Sequence, residues 1–330
     1  MDAPYSPLEF RLLNEFQRGF PLVRRPYGEV ATALGTDEAA VLAALRRLLG
    51  RGAVSRIGAV LAPRRVGAST LAALAVPPDR LEAVAGVVSG RPEVNHNYER
   101  EHRFNLWFVV TAVDGAALDA TLEDIASSAA APLLSLPLVE EYHIDLGFDL
   151  CGGGKSSVRG CTEVAPAALS AADRCLLGAL EPGLELVPQP FARLGERCGI
   201  GEAQARGRIA AWLEEGLIKR FGVVVRHHEL GYRSNAMVVF DVPDQEVRET
   251  GERLAREPGV TLCYRRRRAP PEWTGNLFCM VHGRSRQAVL PVVDRLSQLA
   301  GRPCEVLFSV RRFKQRGARY FEAADGSTAR

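Results

Sequence analysis

Long apolar runs are missing from this chain of 330 residues. Its most apolar stretch, Ala129 to Val139, is too short to span a bilayer and contains two prolines, so no transmembrane helix is expected. Met1-Asp2-Ala3-Pro4 lacks the basic start and apolar core of a signal peptide, and a cytoplasmic location is expected. Cysteine is scarce and odd in number: Cys151, Cys161, Cys175, Cys198, Cys263, Cys279 and Cys304. No Cys-x-x-Cys occurs, which argues against a disulfide framework and against a zinc or iron–sulfur centre. Lysine is nearly absent (Lys155, Lys219 and Lys314), so almost every cation is an arginine, whose planar fork holds carboxylate or phosphate bidentately. A strong net charge is missing too. The formal value is +3, divided into −5 over residues 1–150 and +8 over residues 151–330.

What the chain does have is a repeat. Gly19-Phe20-Pro21-Leu22-Val23-Arg24-Arg25-Pro26-Tyr27 recurs as Gly183-Leu184-Glu185-Leu186-Val187-Pro188-Gln189-Pro190-Phe191. In the same spacing Gly35 matches Gly199, Arg56-Ile57-Gly58 matches Arg220-Phe221-Gly222, and Gly67 matches Gly231. A tandem repeat fixes the architecture before any element is assigned. Each copy opens with three short helical patterns: Leu8–Arg18, Gly28–Leu34 and Asp37–Leu49 in copy one, then Ser170–Leu180, Phe191–Cys198 and Glu202–Glu215 in copy two. A β-branched run follows each, Val54–Leu61 and Ile218–Val225, and the whole reads as a winged helix-turn-helix.

Both copies continue strand, helix, strand, strand, helix, strand, the order of a ferredoxin-like βαββαβ unit. The expected class is α+β, a tandem repeat of the two modules. The boundaries are residues 1–62 and 63–149 for copy one, a Gly/Ser/Pro-rich linker at 150–168, residues 169–226 and 227–320 for copy two, and a tail at 321–330. Gly154-Lys155-Ser156 in the linker imitates the end of a phosphate-binding loop, but Asp149 stands where that motif needs glycine.

The module plan resembles that of the Lrp/AsnC transcription regulators, which makes DNA binding the first reading to test. A recognition helix needs cationic and amide side chains toward its N-terminal end. Copy one offers Asp37-Glu38-Ala39-Ala40 instead, and copy two has Gln204, Arg206 and Arg208 behind Glu202. With the negative first half, DNA is not the expected partner.

The densest polar constellation is Asn95-His96-Asn97-Tyr98-Glu99-Arg100-Glu101-His102-Arg103. On a strand, His96, Tyr98, Arg100 and His102 share one face. That row suits a pocket that grips carboxylate and moves protons, since imidazole titrates near neutral pH. The bland reading is an exposed polar edge strand. Copy two has Leu262, Tyr264, Arg266 and Arg268 at the corresponding positions: tyrosine and arginine are kept, the histidines are not. The last strand of copy one places His143 and Asp145 on one face, and copy two has Phe313 where copy one has His143.

Three groups of strings carry a more specific resemblance. They are Phe20-Pro21-Leu22 with Arg25-Pro26-Tyr27, His96-Asn97-Tyr98-Glu99-Arg100 with Asn105-Leu106-Trp107-Phe108, and Tyr142-His143-Ile144-Asp145-Leu146-Gly147-Phe148. In copy two the matching strings are Cys263-Tyr264-Arg265-Arg266, Asn276-Leu277-Phe278-Cys279-Met280-Val281-His282-Gly283 and Arg312-Phe313-Lys314. Together they resemble the siroheme decarboxylase family, in a form that fuses two paralogous subunits. The resemblance implies removal of carbon dioxide from two acetate side chains of siroheme, giving 12,18-didecarboxysiroheme in haem d1 biosynthesis for denitrification. It implies siroheme as an iron-containing substrate, with no cofactor or catalytic metal of the protein's own. His96 and His143 are then the expected proton donors. Arg100, Arg266, Arg24, Arg25, Arg268 and Lys314 are expected to hold carboxylates, Tyr98 and Tyr264 to orient them, and His102 to serve as a reserve acid or axial iron ligand. An intramolecular pseudo-dimer is expected, with a homodimer open. A DNA-binding regulator and a non-catalytic haem or siroheme sensor are the alternatives.

Overall fold

The computed structural model describes residues 5–144, 167–226 and 234–321. The linker, its Gly154-Lys155-Ser156 string and Asp145 lie outside the described residues. Copy one begins with helices α1 (Pro7–Glu15), α2 (Pro26–Leu34) and α3 (Glu38–Gly50), then strand β1 (Val54–Leu61) and a short helix α4 (Pro63–Val66) that the periodicity did not show. Local chemistry sets these limits. Ser6 and Glu9 form a reciprocal capping box on α1, Asp37 caps α3 through Ala40 N, and Gly35 ends α2 in the left-handed region.

The βαββαβ unit of copy one is β2 (Ala68–Leu74), α5 (Leu81–Gly90), β3 (Val94–Arg100), β4 (Leu106–Ala112), α6 (Gly115–Ala129) and β5 (Leu133–Ile144). Copy two repeats the plan with α7 (Ala171–Leu180), α8 (Pro190–Arg197), α9 (Glu202–Glu214) and β6 (Ile218–Val225). Its second unit is β7 (Ser234–Phe240), α10 (Val247–Ala255), β8 (Val260–Arg266), β9 (Leu277–Gly283), α11 (Arg286–Ala300) and β10 (Glu305–Gln315).

The copies are joined at two levels. In the helical layer each contributes one strand, β1 and β6, which pair antiparallel around Gly58 and Gly222. The expected wing is thus shared between copies. A Cβ on Gly222 would lie 2.4 Å from the Phe16 carbonyl oxygen, so the repeated Arg-x-Gly marks a close backbone approach. One core runs through both helical triplets, with Tyr27, Phe191, Trp212 and Phe221 buried in it. The Phe20 and Tyr27 strings belong there: their rings meet edge to face at 5.7 Å, and Tyr27 Oη donates to the Glu185 carbonyl at 2.9 Å.

In the second layer the two four-stranded sheets close into one barrel, in the order β10-β3-β4-β2-β5-β8-β9-β7. The joints are β5 and β10, which change partners midway. β5 pairs with β2 through Pro137 and with β8 from Leu138, while β10 pairs with β7 through Phe308 and with β3 from Ser309. β5 starts at Leu133 and runs straight through Pro137. Pro137 is tolerated because it sits where β5 passes from one neighbour to the next, and its carbonyl accepts from Arg267 N at 2.9 Å. The helices α5 and α6 cover one sheet and α10 and α11 the other. Inside the barrel, Leu71, Trp107, Leu136, Met237 and Phe278 from both copies share a core. No helix of the described residues is long and apolar enough to cross a membrane.

Candidate functional site

A cavity of about 500 Å³ occupies the barrel interior. Its walls are largely apolar: Leu71, Trp107, Val109, Leu138, Met237, Leu262 and Met280. Its polar groups come from both copies, with His96, Tyr98 and Arg100 on β3, Tyr264 and Arg266 on β8, and Glu141, Asn235, Thr261 and His282 around them. Volume and lining are those of a small-molecule site.

The Tyr-x-Arg pairs take equivalent positions. Arg100 is 7% exposed; its Nη1 donates to the Leu307 carbonyl at 2.9 Å and to Asn235 Oδ1 at 3.2 Å, and its guanidinium lies 5.7 Å from the Tyr98 ring centroid. Arg266 Nη1 donates to the Leu136 carbonyl at 2.8 Å, with the guanidinium 4.6 Å from the Tyr264 ring centroid. Each arginine reaches a carbonyl of the other copy's bridging strand. Neither forms an ion pair with a carboxylate among the described residues, and the Nε of each is buried without a hydrogen-bond partner. Desolvation lowers both, Arg100 to about 10. Two dehydrated cations facing an apolar cavity are poised for anions, because an unpaired buried charge is costly until a counter-ion arrives.

His96 reaches the cavity through a bulge between Val94 and His96 that puts Asn95 on the wall as well. Burial holds its imidazole down to about 4, opposed by a hydrogen bond with the Arg316 backbone. Burial pushes the Tyr98 phenol up, while Arg100 and Arg312 pull it down. Asn97 points the other way, under α5, where Nδ2 donates to the Ala85 carbonyl and to Ser89 Oγ. The alternation read from the sequence therefore holds for His96, Tyr98 and Arg100.

It fails for His102. β3 ends at Arg100, whose N–H turns back to the Asn105 carbonyl, and His102 falls in the tight connection. Its Nδ1 accepts from Phe104 N at 3.0 Å, its Nε2 lies 3.7 Å from Glu305, and it borders a separate pocket of about 340 Å³ with Trp273. His143 also departs from expectation. A second irregularity between Glu141 and His143 inserts Tyr142, so Glu141 faces Tyr264 in the cavity while His143 is paired with Cys263. Cys263 points away, toward the Gly251 carbonyl of α10, and His143, 3% exposed, is not among the cavity-lining residues.

Four expected carboxylate grips are occupied elsewhere. Arg24 lies 3.7 Å from Glu202 and Arg25 pairs with Glu38, both on the surface of the helical layer. Arg268 is clamped by Asp241 and Asp244 at 2.6 and 2.7 Å beyond the end of β8. Lys314 Nζ donates to the Ser89 and Arg91 carbonyls at the end of α5, outside the barrel, and is lowered to about 8 mainly by desolvation. The arginines of the second triplet are similarly engaged. Arg208 grips Asp173 at 2.6 Å and Arg206 donates to the Leu22 carbonyl at 3.2 Å, so both bind this chain rather than face outward for DNA phosphates.

The sequence reading missed Glu141, Asn235 and His282 as cavity residues. For Asn235 and His282 the signal was available, since each alternates with an inward methionine, Met237 on β7 and Met280 on β9. His282 Nδ1 lies 2.8 Å from Thr261 Oγ1. It also missed the closing segment. After β10 the chain crosses the barrel end: Arg316 N donates to the Asn95 carbonyl at 2.9 Å, Thr111 Oγ1 to the Arg319 carbonyl at 3.0 Å, and Tyr320 N to Glu181 Oε1 at 2.6 Å. Burial raises Glu181 to about 7, against the amides of Tyr320 and Phe321 and the charges of Arg319 and Arg56.

Comparison with known proteins agrees with this geometry. The AsnC-like ligand binding domain matches residues 65–143 and 229–314, the two barrel halves, and the siroheme decarboxylase NirDL-like HTH domain matches residues 9–54. The siroheme decarboxylase NirDL subunit of Paracoccus denitrificans (strain Pd 1222) is 46% identical over 96% of this chain and 98% of its own. A crystal structure of the siroheme decarboxylase NirDL superposes with a TM-score of 0.71 at 27% identity, covering 96% of this chain and 94% of that one. A second, in co-complex with an iron-uroporphyrin III analogue, gives a TM-score of 0.70 at 26% identity with the same coverage.

Proposed function

As the chain belongs to the siroheme decarboxylase family, we propose that its barrel cavity binds siroheme and removes carbon dioxide from two of its acetate side chains, a carboxy-lyase reaction. The observation that carries this reading is the pair of buried guanidiniums, Arg100 and Arg266, each with an unpartnered Nε and neither in an ion pair with a carboxylate among the described residues, in a chamber whose walls are largely apolar. A flat macrocycle edged with carboxylates supplies what that chamber lacks: apolar faces for Leu71, Met237 and Met280, and anions for the two arginines.

Decarboxylation breaks the bond between the acetate methylene and its carboxyl carbon. The electron pair stays on the methylene carbon, conjugated with the macrocycle, until a proton converts it to methyl. His96 is the proposed proton donor. Its low pKa leaves it neutral at pH 7. Carboxylates brought in beside it favour the imidazolium, so binding itself charges the acid. Tyr98 and Tyr264, each beside its arginine, would orient the acetates. The iron belongs to the substrate. His282 opens on the same cavity and is the second imidazole within its walls. His143 would face the cavity only if the bulge at Tyr142 straightened.

Anaerobic incubation of the purified protein with siroheme, followed by mass spectrometry, tests the activity. The expected product is lighter by two carbon dioxide units; unchanged siroheme would sink the reading. His96→Ala is expected to abolish turnover while binding is kept, and turnover equal to wild type would remove His96 from this role. His143→Ala with turnover lost and binding kept would show that the Tyr142 bulge straightens around the substrate.

A further inference from the structure

The barrel repeats its cavity residues with approximate two-fold symmetry. Ser69 and Leu71 on β2 correspond to Asn235 and Met237 on β7, Val109 on β4 to Met280 on β9, and Tyr98 and Arg100 to Tyr264 and Arg266. The bridging strands complete each end. β10 sets Arg312 opposite Tyr98, and β5 sets Glu141 opposite Tyr264. At these corresponding positions the charges are opposite. At one end the charges of Arg100 and Arg312 both act on the Tyr98 phenol. At the other, Glu141 acts on the Arg266 guanidinium and is itself ion-paired with Lys219 of β6. Glu141 is the one carboxylate among the described residues that line the cavity.

A flat plate in a symmetric slot can lie in two orientations of equal energy. Here the orientations differ, because a substrate carboxylate beside Arg266 also meets Glu141, while one beside Arg100 does not. The two ends also differ in chemistry, since Leu262 on β8 stands where β3 carries His96. Orientation therefore decides which acetate reaches the imidazole. We propose that Glu141 is a specificity determinant that sets the orientation of the tetrapyrrole by repelling its carboxylates, with Lys219 tuning the strength of that repulsion from the helical layer. The inference rests on the siroheme reading and adds the residue that selects between the plate's edges.

The two members of one ion pair then have opposite effects on the choice of orientation, which a purely structural salt bridge would not produce. Glu141→Gln lifts the penalty on the disfavoured orientation only, so iron uroporphyrin III should bind at most about twofold tighter. Lys219→Gln leaves Glu141 uncompensated and should sharpen the preference for the favoured orientation several-fold. The double variant E141Q/K219Q should follow E141Q. In single turnovers with siroheme, the ratio of the two mono-decarboxylated isomers should fall roughly tenfold toward unity in E141Q, in line with the lost discrimination. Absorbance titration gives the affinities, and chromatography with mass detection gives the isomers. Isomer ratios shifted the same way in both single variants, a double variant that follows K219Q, or an isomer ratio unchanged in E141Q would each overturn the proposal. Wild-type protein that leaves siroheme intact would instead count against the activity, and the orientation of bound siroheme in crystals of wild type and E141Q would still test Glu141.

Discussion

Arg100→Met should weaken substrate binding while leaving the empty protein as stable as before or more so. The guanidinium is held at about 10 against an ordinary 12.5, mainly by desolvation. That difference amounts to roughly 3 kcal/mol by which folding disfavours the charged form. The sign follows from the lowered folded value. Below pH 10 both states are protonated and the penalty is full; it fades only as pH rises from about 10 toward 12.5. Methionine keeps the length and removes the charge, but strands the Leu307 carbonyl and Asn235 Oδ1, each worth about 1 kcal/mol. The balance lies between neutral and ~1 kcal/mol stabilising, so the melting temperature should hold or rise by ~2–4 °C. Binding goes the other way. Losing a buried, charge-assisted contact to a carboxylate costs about 2–4 kcal/mol, or roughly 30- to 1,000-fold in Kd. Differential scanning calorimetry of the empty protein and absorbance titration with iron uroporphyrin III give the two numbers. A melting temperature several degrees lower, with Kd within twofold of wild type, would refute the reasoning and make Arg100 a structural tie.

Other consequences can be checked separately. Because burial holds His96 near 4 and bound carboxylates favour its charged form, binding at pH 6–7 should take up about one proton in wild type and fewer in His96→Ala. Calorimetry in buffers of different ionisation enthalpy reads this directly. Glu181, raised to about 7 by burial, contributes stability that is present below its unfolded value of 4.5 and lost as pH rises through about 7. The thermal stability of Glu181→Gln should therefore change less between pH 5 and pH 8 than that of wild type; identical profiles would show that the Tyr320 latch does not titrate. Gly67→Ala would set a Cβ 2.3 Å from the Ala112 carbonyl oxygen and 2.7 Å from the Tyr320 ring, and should cost about 1–3 kcal/mol in denaturant unfolding. Arg24→Ala and Arg268→Ala should leave the Kd for iron uroporphyrin III within about twofold, since their ion pairs lie outside the cavity.

Much of the fold was legible because it depends on local periodicity. The helices followed from apolar spacing, to within a few residues at their ends, and the strand faces from the alternation of His96, Tyr98 and Arg100. The reading failed where one residue changed the phase. Tyr142 sits in an irregularity that moved His143 out of the pattern, and the end of β3 at Arg100 left His102 in a turn. It also failed where an arginine's partner lay far along the chain. Nothing near Arg268 in sequence shows that Asp241 and Asp244 will hold it, and nothing near Lys314 shows the carbonyls at the end of α5.

The sequence by itself determined the repeat, the order of elements in each copy and the Tyr-x-Arg pairs that both copies present, because these rest on short-range spacing and composition. Only the tertiary structure decided that the two sheets close into one barrel, since β5 and β10 exchange partners midway and no local pattern records which strand lies beside a distant one. That closure brings Arg100 and Arg266 into a single chamber, joins Glu141 and His282 to them, and turns two similar halves into one cavity with unlike ends.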